Sequence, residues 1–435
     1  MSSGVTFDEA LPRFAALLAK EVGDGHVFDH WFLRDASGRL SLILRAGTEG
    51  TVRARLTEAA RVLVPWVDAD IPVMEPHELF DLSVEALDHG FPERIEHEGY
   101  TGFVRVLERR IVGQDWLQAP REPIQGVPPV VVFASHKGGV GRSTALAVAA
   151  AAFSESGINV LVIDLDLEAP GLGDILLTEL PRWGTLDFFV EDGAGDLDDR
   201  FLDDMIATST LATKGLVHVA PAVGCISAGE PHNVRGKIGR AYLERVHADG
   251  RVETFLDRLR RLVERLAARH RYDAIFIDAR AGLNEATAGA ILGLGGEVLL
   301  FGVDTPQTFS GYTYLLAHLA RFRPAESGEG DWRYRLRLVH AKAQANSDAQ
   351  AHFRTEAFEL FAQTLYDVEE GIEAESFNFD YDEENAPHFA WPILDDSNFA
   401  EFNPVYRRDQ CSAAMYDRTY GSFLKSLANK VGLTL

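Results

Sequence analysis

The spacing of apolar residues changes character twice along this chain. Up to residue 117 it is mixed: Leu11, Phe14, Leu17 and Leu18 recur at the three- and four-residue intervals of one helix face. Residues 27–33 and 39–45 are strand-like and flank Asp35-Ala36-Ser37-Gly38, a polar loop whose glycine tolerates positive φ, so a hairpin is expected. A second helix is expected over residues 51–63 and a strand over residues 103–111. Pro120, Pro123, Pro128 and Pro129 follow, and their missing amide donors argue against continuous helix or sheet. The expectation is an N-terminal α+β accessory domain over residues 1–117 and a proline-rich linker over residues 118–129.

From Val130 the alternation disappears. VVVFAS, NVLVID, AIFID and EVLLFGV are short continuous apolar runs, the pattern of strands buried on both faces of a parallel sheet. Helix-length segments separate them, among them residues 144–155 and the amphipathic residues 252–269. This order predicts an α/β domain with a doubly wound, mainly parallel sheet over residues 130–435, whose ligands bind beyond the carboxyl ends of the strands. Further on, residues 349–366 read as helix, and residues 367–384, with nine acidic side chains and no basic one, as a solvated loop. Tyr416, Tyr420, Phe423, Leu424, Leu427 and Val431 then form one apolar stripe on a helix over residues 409–431. Residues from about 345 to 435 are expected as a helical elaboration of the same domain.

Composition narrows the function classes. The 66 acidic and 42 basic side chains leave a formal charge of -24, which repels phosphate backbones and anionic lipid, so neither nucleic-acid coating nor membrane binding is indicated. Cys225 and Cys411 are far apart and form no CxxC pair, which excludes a disulfide framework or a paired-cysteine metal site and fits a reducing cytoplasm. The first residues show no basic stretch leading into an apolar core, and no run of about 18 apolar residues occurs.

The chemistry concentrates after the first buried strand. Ser135 and His136 lead into Lys137, Gly138, Gly139, Val140, Gly141, Arg142, Ser143 and Thr144, and a helix follows directly. Glycines in this context let consecutive amides turn inward, making an anion nest at a positive helix N-terminus, where a nucleotide's β-phosphate would sit. The spacing departs from GxxxxGK[ST]: His136 fills the first glycine slot, Lys137 precedes the glycine pair, and Arg142 stands where lysine is usual.

The segment KGGVGRST resembles the MinD and ParA family of deviant Walker P-loop ATPases, and its arginine resembles the KGGVGR-variant subgroup of that family. NVLVIDLDLEAPGLG, with Asp164 and Asp166, is similar to the family's acidic switch strand. YDAIFIDARAGLNEAT, with Asp278, is similar to its Walker B strand, and EVLLFGVDTPQTF to the strand that follows. These motifs span residues 129–310 in order; residues 218–224 and 387–404 resemble later family segments more loosely. The resemblance implies ATP and Mg²⁺ as cofactors, with Gly138 to Thr144 binding the nucleotide. Ser143, Asp278 and Asp164 would hold the metal and its waters. Asp166 would orient the attacking water, and Lys137 and Arg142 would stabilise the transferring phosphoryl group. In the family the lysine matching Lys137 reaches across a nucleotide-sandwich dimer, so ATP-dependent homodimerisation is implied.

Competing readings attach to several residues. Arg258, Arg260, Arg261, Arg265 and Arg269 could make a nucleic-acid patch, but Glu253, Asp257 and Glu264 interleave with them, and a solvated, ion-paired helix face is expected. Lys237 and Arg240 read as helix-surface charges, and His136 and His340 as supporting hydrogen-bond groups. The C-terminal stripe is expected to pack on the ATPase core. Tyr406, Tyr416 and Tyr420 are too scattered for a tyrosine-kinase tail. The leading expectation is an ATP-binding and hydrolysing switch whose dimerisation is coupled to an unidentified protein partner through the N-terminal domain. The alternatives are a non-hydrolysing nucleotide-bound scaffold and a ParA-like DNA or cargo partition ATPase.

Overall fold

Asp8 and Glu9 complement the positive end of the first helix, α1 (Phe7–Val22), and Glu9 accepts a hydrogen bond from the Thr6 amide at 3.0 Å. Leu11, Phe14 and Leu18 are fully buried from that helix. In this computed structural model, which describes residues 4–79, 90–247, 249–322, 324, 330–367 and 376–435, the chain divides into two compact units, Met1–Leu117 and Gln118–Leu435.

The first unit is a five-stranded mixed sheet formed by β1 (Trp31–Arg34), β2 (Leu40–Ile43), β3 (Val73–Met74), β4 (Phe91–His97) and β5 (Tyr100–Glu108), in the order β3-β2-β1-β5-β4. α1 and α2 (Gly50–Ala60) share its main core with Phe32, Leu42, Val104 and Val106. The expected hairpin exists as β1 paired antiparallel to β2, and Asp35 builds its loop by accepting from the amides of Ser37 at 2.9 Å and Arg39 at 2.8 Å. Its first strand is shorter than expected because Asp24–Asp29 forms a 3₁₀ turn after Gly23, which has φ +85°. The strand expected at 103–111 is β5, and it pairs with β4, which the apolar pattern had not indicated.

The second unit is an eight-stranded sheet of β6 (Val130–Ser135), β7 (Val160–Asp164), β8 (Ala207–Thr208), β9 (Val217–Ala220), β12 (Ala274–Asp278), β13 (Glu297–Gly302), β14 (Leu336–Ala343) and β15 (Trp391–Leu394). Their order is β15-β14-β13-β6-β12-β7-β9-β8. All pairs are parallel except β8 with β9. Its flanking helices are α3 (Arg142–Glu155), α4 (Leu172–Leu176), α5 (Thr185–Ala194), α6 (Asp199–Asp203), α7 (Cys225–Gly229), α8 (Pro231–Ala241), α9 (Phe255–Ala267), α10 (Glu285–Ala288), α11 (Pro306–Leu319), α12 (Ser347–Thr364) and α13 (Ala413–Lys430). The expected α/β fold class is observed. The C-terminal stretch is not purely helical: β15 extends the sheet at its edge, where a strand tolerates a proline such as Pro392.

α3 is alanine-rich and buried on every side from Ala145 to Ser154 because it lies beside the sheet and under α13. The stripe of α13 packs as expected, with Phe423 and Leu427 fully buried and Tyr416 donating to Glu155 at the end of α3 at 2.6 Å.

Three expectations need correction. The helix expected over 252–269 starts at Phe255, because Thr254 caps it by accepting from the Asp257 amide, while β11 (Val252–Glu253) pairs with β10 (Arg245–Val246). Its arginines are ion-paired but not all solvated. Arg258 is 1% exposed, with its Nε 2.9 Å from Asp192, and Arg261 reaches the same carboxylate at 2.6 Å. In the acidic run, residues 368–375 lie outside the described residues; Asp380, Asp382, Glu383 and Glu384 are exposed as expected, but Asp367 pairs with buried Arg333 at 2.7 Å and Phe377 is fully buried, so the run is anchored at these two positions.

Candidate nucleotide site

β6 is central, wholly buried and parallel to both neighbours, so its carboxyl end delivers the glycine loop to the middle of the sheet edge. Gly139 and Gly141 have φ of +77° and +91°, a backbone that side chains rarely adopt. A Cβ added at Gly138, Gly139 or Gly141 would meet nothing within 4 Å, so these three positions face open space. α3 begins immediately after, with no side-chain cap on its N-terminus, which leaves first-turn amides available to an anion. Val140 is buried, Ser143 and Thr144 are half-buried in the first turn, and Lys137 is exposed with no ion pair among the described residues.

Two strand ends bring the expected carboxylates beside this loop. Asp164 and Asp278 are register partners on parallel β7 and β12, so their side chains leave the sheet on the same face. Ser143 donates its hydroxyl to Asp278 at 2.7 Å. Arg142 does not lie free in the loop: its Nε is 2.5 Å from Asp278, and its Nη2 is 3.4 Å from Asp166. Burial disfavours the guanidinium's charge, but Asp278, then Asp166 and Asp164, more than compensate and hold its pKa above the ordinary arginine value. The structure thus brings Arg142, Ser143, Asp164, Asp166 and Asp278 into one cluster and leaves Lys137 outside it.

The two buried carboxylates are not equivalent. Burial first, then the charge of Asp278, raises Asp164 to about 7, while loop amides oppose the shift. Asp164 accepts from the amides of Asp166 at 2.9 Å and Leu172 at 3.2 Å, so it shapes the loop that carries Asp166. Burial also raises Asp278, and Arg142 and Ser143 oppose the shift. Asp166 accepts from the Ala169 amide at 3.2 Å and is the most accessible of the three.

Several partners of this cluster were not singled out from the sequence. Thr185 donates to the carbonyl of Asp164 at 2.6 Å, and Arg280 pairs with Glu168 at 2.5 Å, joining the loops that follow β12 and β7. Lys342 donates to the carbonyl of Gly139 at 2.9 Å. The histidines were expected as hydrogen-bond groups, but the structure packs them instead: His340 stacks on Phe353 at 4.1 Å with its pKa lowered to about 4 by burial, and the His136 ring, its buried Nδ1 without a hydrogen-bond partner among the described residues, fills the space that the missing Cβ of Gly311 leaves. Lys237 is not a surface charge: it pairs with fully buried Asp187 at 2.6 Å, whereas Arg240 is exposed and donates to the Gly236 carbonyl.

Chemically, this is an open amide cradle beside a hydroxyl and buried carboxylates. Among the described residues, no group of three or more histidine, cysteine, aspartate or glutamate side chains is arranged to hold a metal by itself. No described helix is long and apolar enough to cross a membrane.

Residues 131–286 match the family model of the CobQ/CobB/MinD/ParA nucleotide binding domain. No curated protein matches the chain. Among solved structures, a ParA family ATPase from Chlorobium tepidum TLS is 18% identical with a TM-score of 0.45, covering 68% of this chain and 98% of its own. The septum site-determining protein MinD complexed with Mg-ADP from Pyrococcus horikoshii OT3 is 16% identical with a TM-score of 0.42, covering 70% and 98%. The cell division ATPase MinD of Pyrococcus furiosus is 18% identical with a TM-score of 0.42, covering 70% and 98%. Over residues 131–286 the chain therefore carries a nucleotide-binding domain of the CobQ/CobB/MinD/ParA family.

Proposed function

We propose that this protein is an ATP-binding and ATP-hydrolysing switch of MinD/ParA type, in the arginine-bearing KGGVGR variant form. The observation that carries the reading is the convergence of Arg142, Ser143, Asp164, Asp166 and Asp278 on the open side of one glycine loop. In this reading Gly138 to Thr144 bind the phosphates through amides and the Ser143 and Thr144 hydroxyls. Asp166, accessible at the mouth of the cluster, orients the attacking water. Lys137, exposed and without an ion pair among the described residues, is available to a phosphate or to a second copy of the chain, which makes ATP-dependent dimerisation part of the proposal.

The residues present suit Mg²⁺. Ser143 and Asp278 are hard oxygen donors already in contact, and the Asp164 carboxyl stands beside Asp278 at the end of the neighbouring strand. Mg²⁺ with its waters would rest on Ser143 and Asp278, with Asp164 behind, and would supply charge neutralisation at the phosphates. Residues 1–117 are proposed as an accessory domain that reads or presents a partner, residues 118–129 as its linker, and the cytoplasm as the compartment.

A second reading is favoured by one specific contact. Arg142 is clasped by Asp278, and if ATP does not release it, bound nucleotide would hold an assembly without turnover. Phosphate release and oligomeric mass, measured with ATP and Mg²⁺ for the native chain, Lys137→Ala and Asp166→Ala, separate the two. Turnover in the native chain that Asp166→Ala abolishes supports the hydrolysing switch. Nucleotide binding without turnover in the native chain supports the scaffold.

A further inference from the structure

Among the described residues, Lys342 is the only one besides glycines with a positive φ, +53°. It lies where β14 shifts register against β15, between His340 and Ala343. Bulges of this kind re-aim a side chain, and a left-handed backbone is one that glycine adopts without strain and lysine does not. The amine shows where the side chain has been aimed: Lys342 Nζ donates to the carbonyl of Gly139 at 2.9 Å, tying two segments that are 203 residues apart in sequence.

Gly139 is itself left-handed, and a Cβ there would meet nothing within 4 Å. A trans peptide points its carbonyl and amide in opposite directions. A carbonyl held toward Lys342 therefore turns the Val140 amide to the other side of the loop, and inward amides are what an anion nest consists of.

We propose that Lys342 is a positioning residue for phosphate binding, its amine holding the Gly139–Val140 peptide so that the Val140 amide faces the bound phosphate. The proposal rests on the nucleotide-binding reading above. It explains why a lysine occupies a backbone position suited to glycine: the strained conformation delivers a cationic donor to the one carbonyl whose orientation sets the nest.

Two substitutions separate this role from a structural one. Lys342→Gly relieves the backbone and removes the amine, whereas Lys342→Arg keeps a cationic donor. Lys342→Gly is expected to melt no lower than the native chain yet to bind Mg²⁺–ATP roughly tenfold more weakly, the lower end of what a hydrogen bond to a charged group provides, and Lys342→Arg to recover most of the loss. In the nucleotide-free protein, amide hydrogen exchange over residues 138–141 is expected to be faster in Lys342→Gly. Native-like nucleotide affinity in Lys342→Gly, or unchanged exchange in those amides, would overturn the proposal. A native chain that binds no nucleotide refutes the nucleotide reading instead, and the exchange rates then still decide what Lys342 does.

Discussion

The Nε of Arg142 lies 2.5 Å from Oδ1 of Asp278, and both side chains are buried. The loop's basic residue is engaged by the carboxylate at the end of β12. Removing the cation while keeping the carboxylates strands Asp278 beside Asp164, and breaking a buried pair from one side is strongly destabilising. Arg142→Met is expected to lower the unfolding free energy of the nucleotide-free chain by about 3 kcal/mol, read from urea midpoints. An unchanged midpoint would show that the clasp contributes nothing.

The same contact predicts a kinetic effect. A planar guanidinium fits a carboxylate better than a compact ammonium does, so Arg142→Lys should leave the clasp more readily. Its turnover is expected to rise about tenfold, equivalent to roughly 1.4 kcal/mol in the barrier. A steady-state phosphate-release assay checks this, and slower turnover than native would mean that the guanidinium itself serves the reaction.

Asp192 organises two arginines of α9. It is 2% exposed and receives Arg258 and Arg261, with Arg245 3.6 Å away. Asp192→Ala leaves Arg258 buried without its carboxylate and is expected to cost about 3 kcal/mol or more. Arg265 is engaged too, donating to the Leu197 carbonyl at 2.8 Å and lying 3.5 Å from Asp199, so Arg265→Ala should not change DNA retention at physiological salt. Nucleotide-dependent retention that this substitution weakens would favour the partition reading.

Lys237 and Asp187 tie α8 to α5, and Ser227 donates to the same carboxylate at 2.6 Å. α5 also carries Thr185, which holds the backbone of Asp164. Lys237→Met removes the cation from a fully buried carboxylate, leaving the neutral hydroxyl of Ser227 on Asp187 Oδ1, and is expected to cost about 3 kcal/mol. Thermal unfolding measures the loss, and a melting temperature equal to native would show that the ion pair is dispensable.

In the first unit, His30 accepts from the Arg45 amide through Nδ1 at 2.9 Å, and burial lowers its pKa to about 4. The unfolded chain therefore binds the extra proton first as pH falls. The stability due to neutral His30 is fully present above about pH 6.5 and is lost as pH drops toward 4, by up to about 3 kcal/mol. His30→Gln should flatten that part of the pH profile of unfolding, leaving the share of His218 and His340, also lowered to about 4 by burial. A profile as steep as native would assign the effect elsewhere.

Features set by local spacing were legible before the structure. The buried strands β6, β7, β12 and β13 and the strand-loop-helix context of Lys137 to Thr144 follow from contiguous residues, and so does the stripe of α13. Features set by distant partners were not. β4, reading Phe-Pro-Glu-Arg-Ile-Glu-His, is an edge strand with charged residues on its exposed face, so it lacks the apolar run that marks a central strand. The burial of Arg258 depends on Asp192, 66 residues away, and charge counting on one helix could only place it at the surface. The engagement of Arg142 by Asp278 and the reach of Lys342 to Gly139 likewise require the sheet to be assembled first.

The most direct measurement is calorimetric titration of ATP with Mg²⁺ into the native chain and into Gly139→Val. A Cβ at Gly139 meets no neighbour, so the variant should fold, but a β-branched residue at φ +77° disfavours the loop conformation that presents the amides. Saturable binding by the native chain that Gly139→Val abolishes is the expected result. No binding by the native chain, or equal binding by a folded Gly139→Val, would contradict nucleotide recognition at this loop.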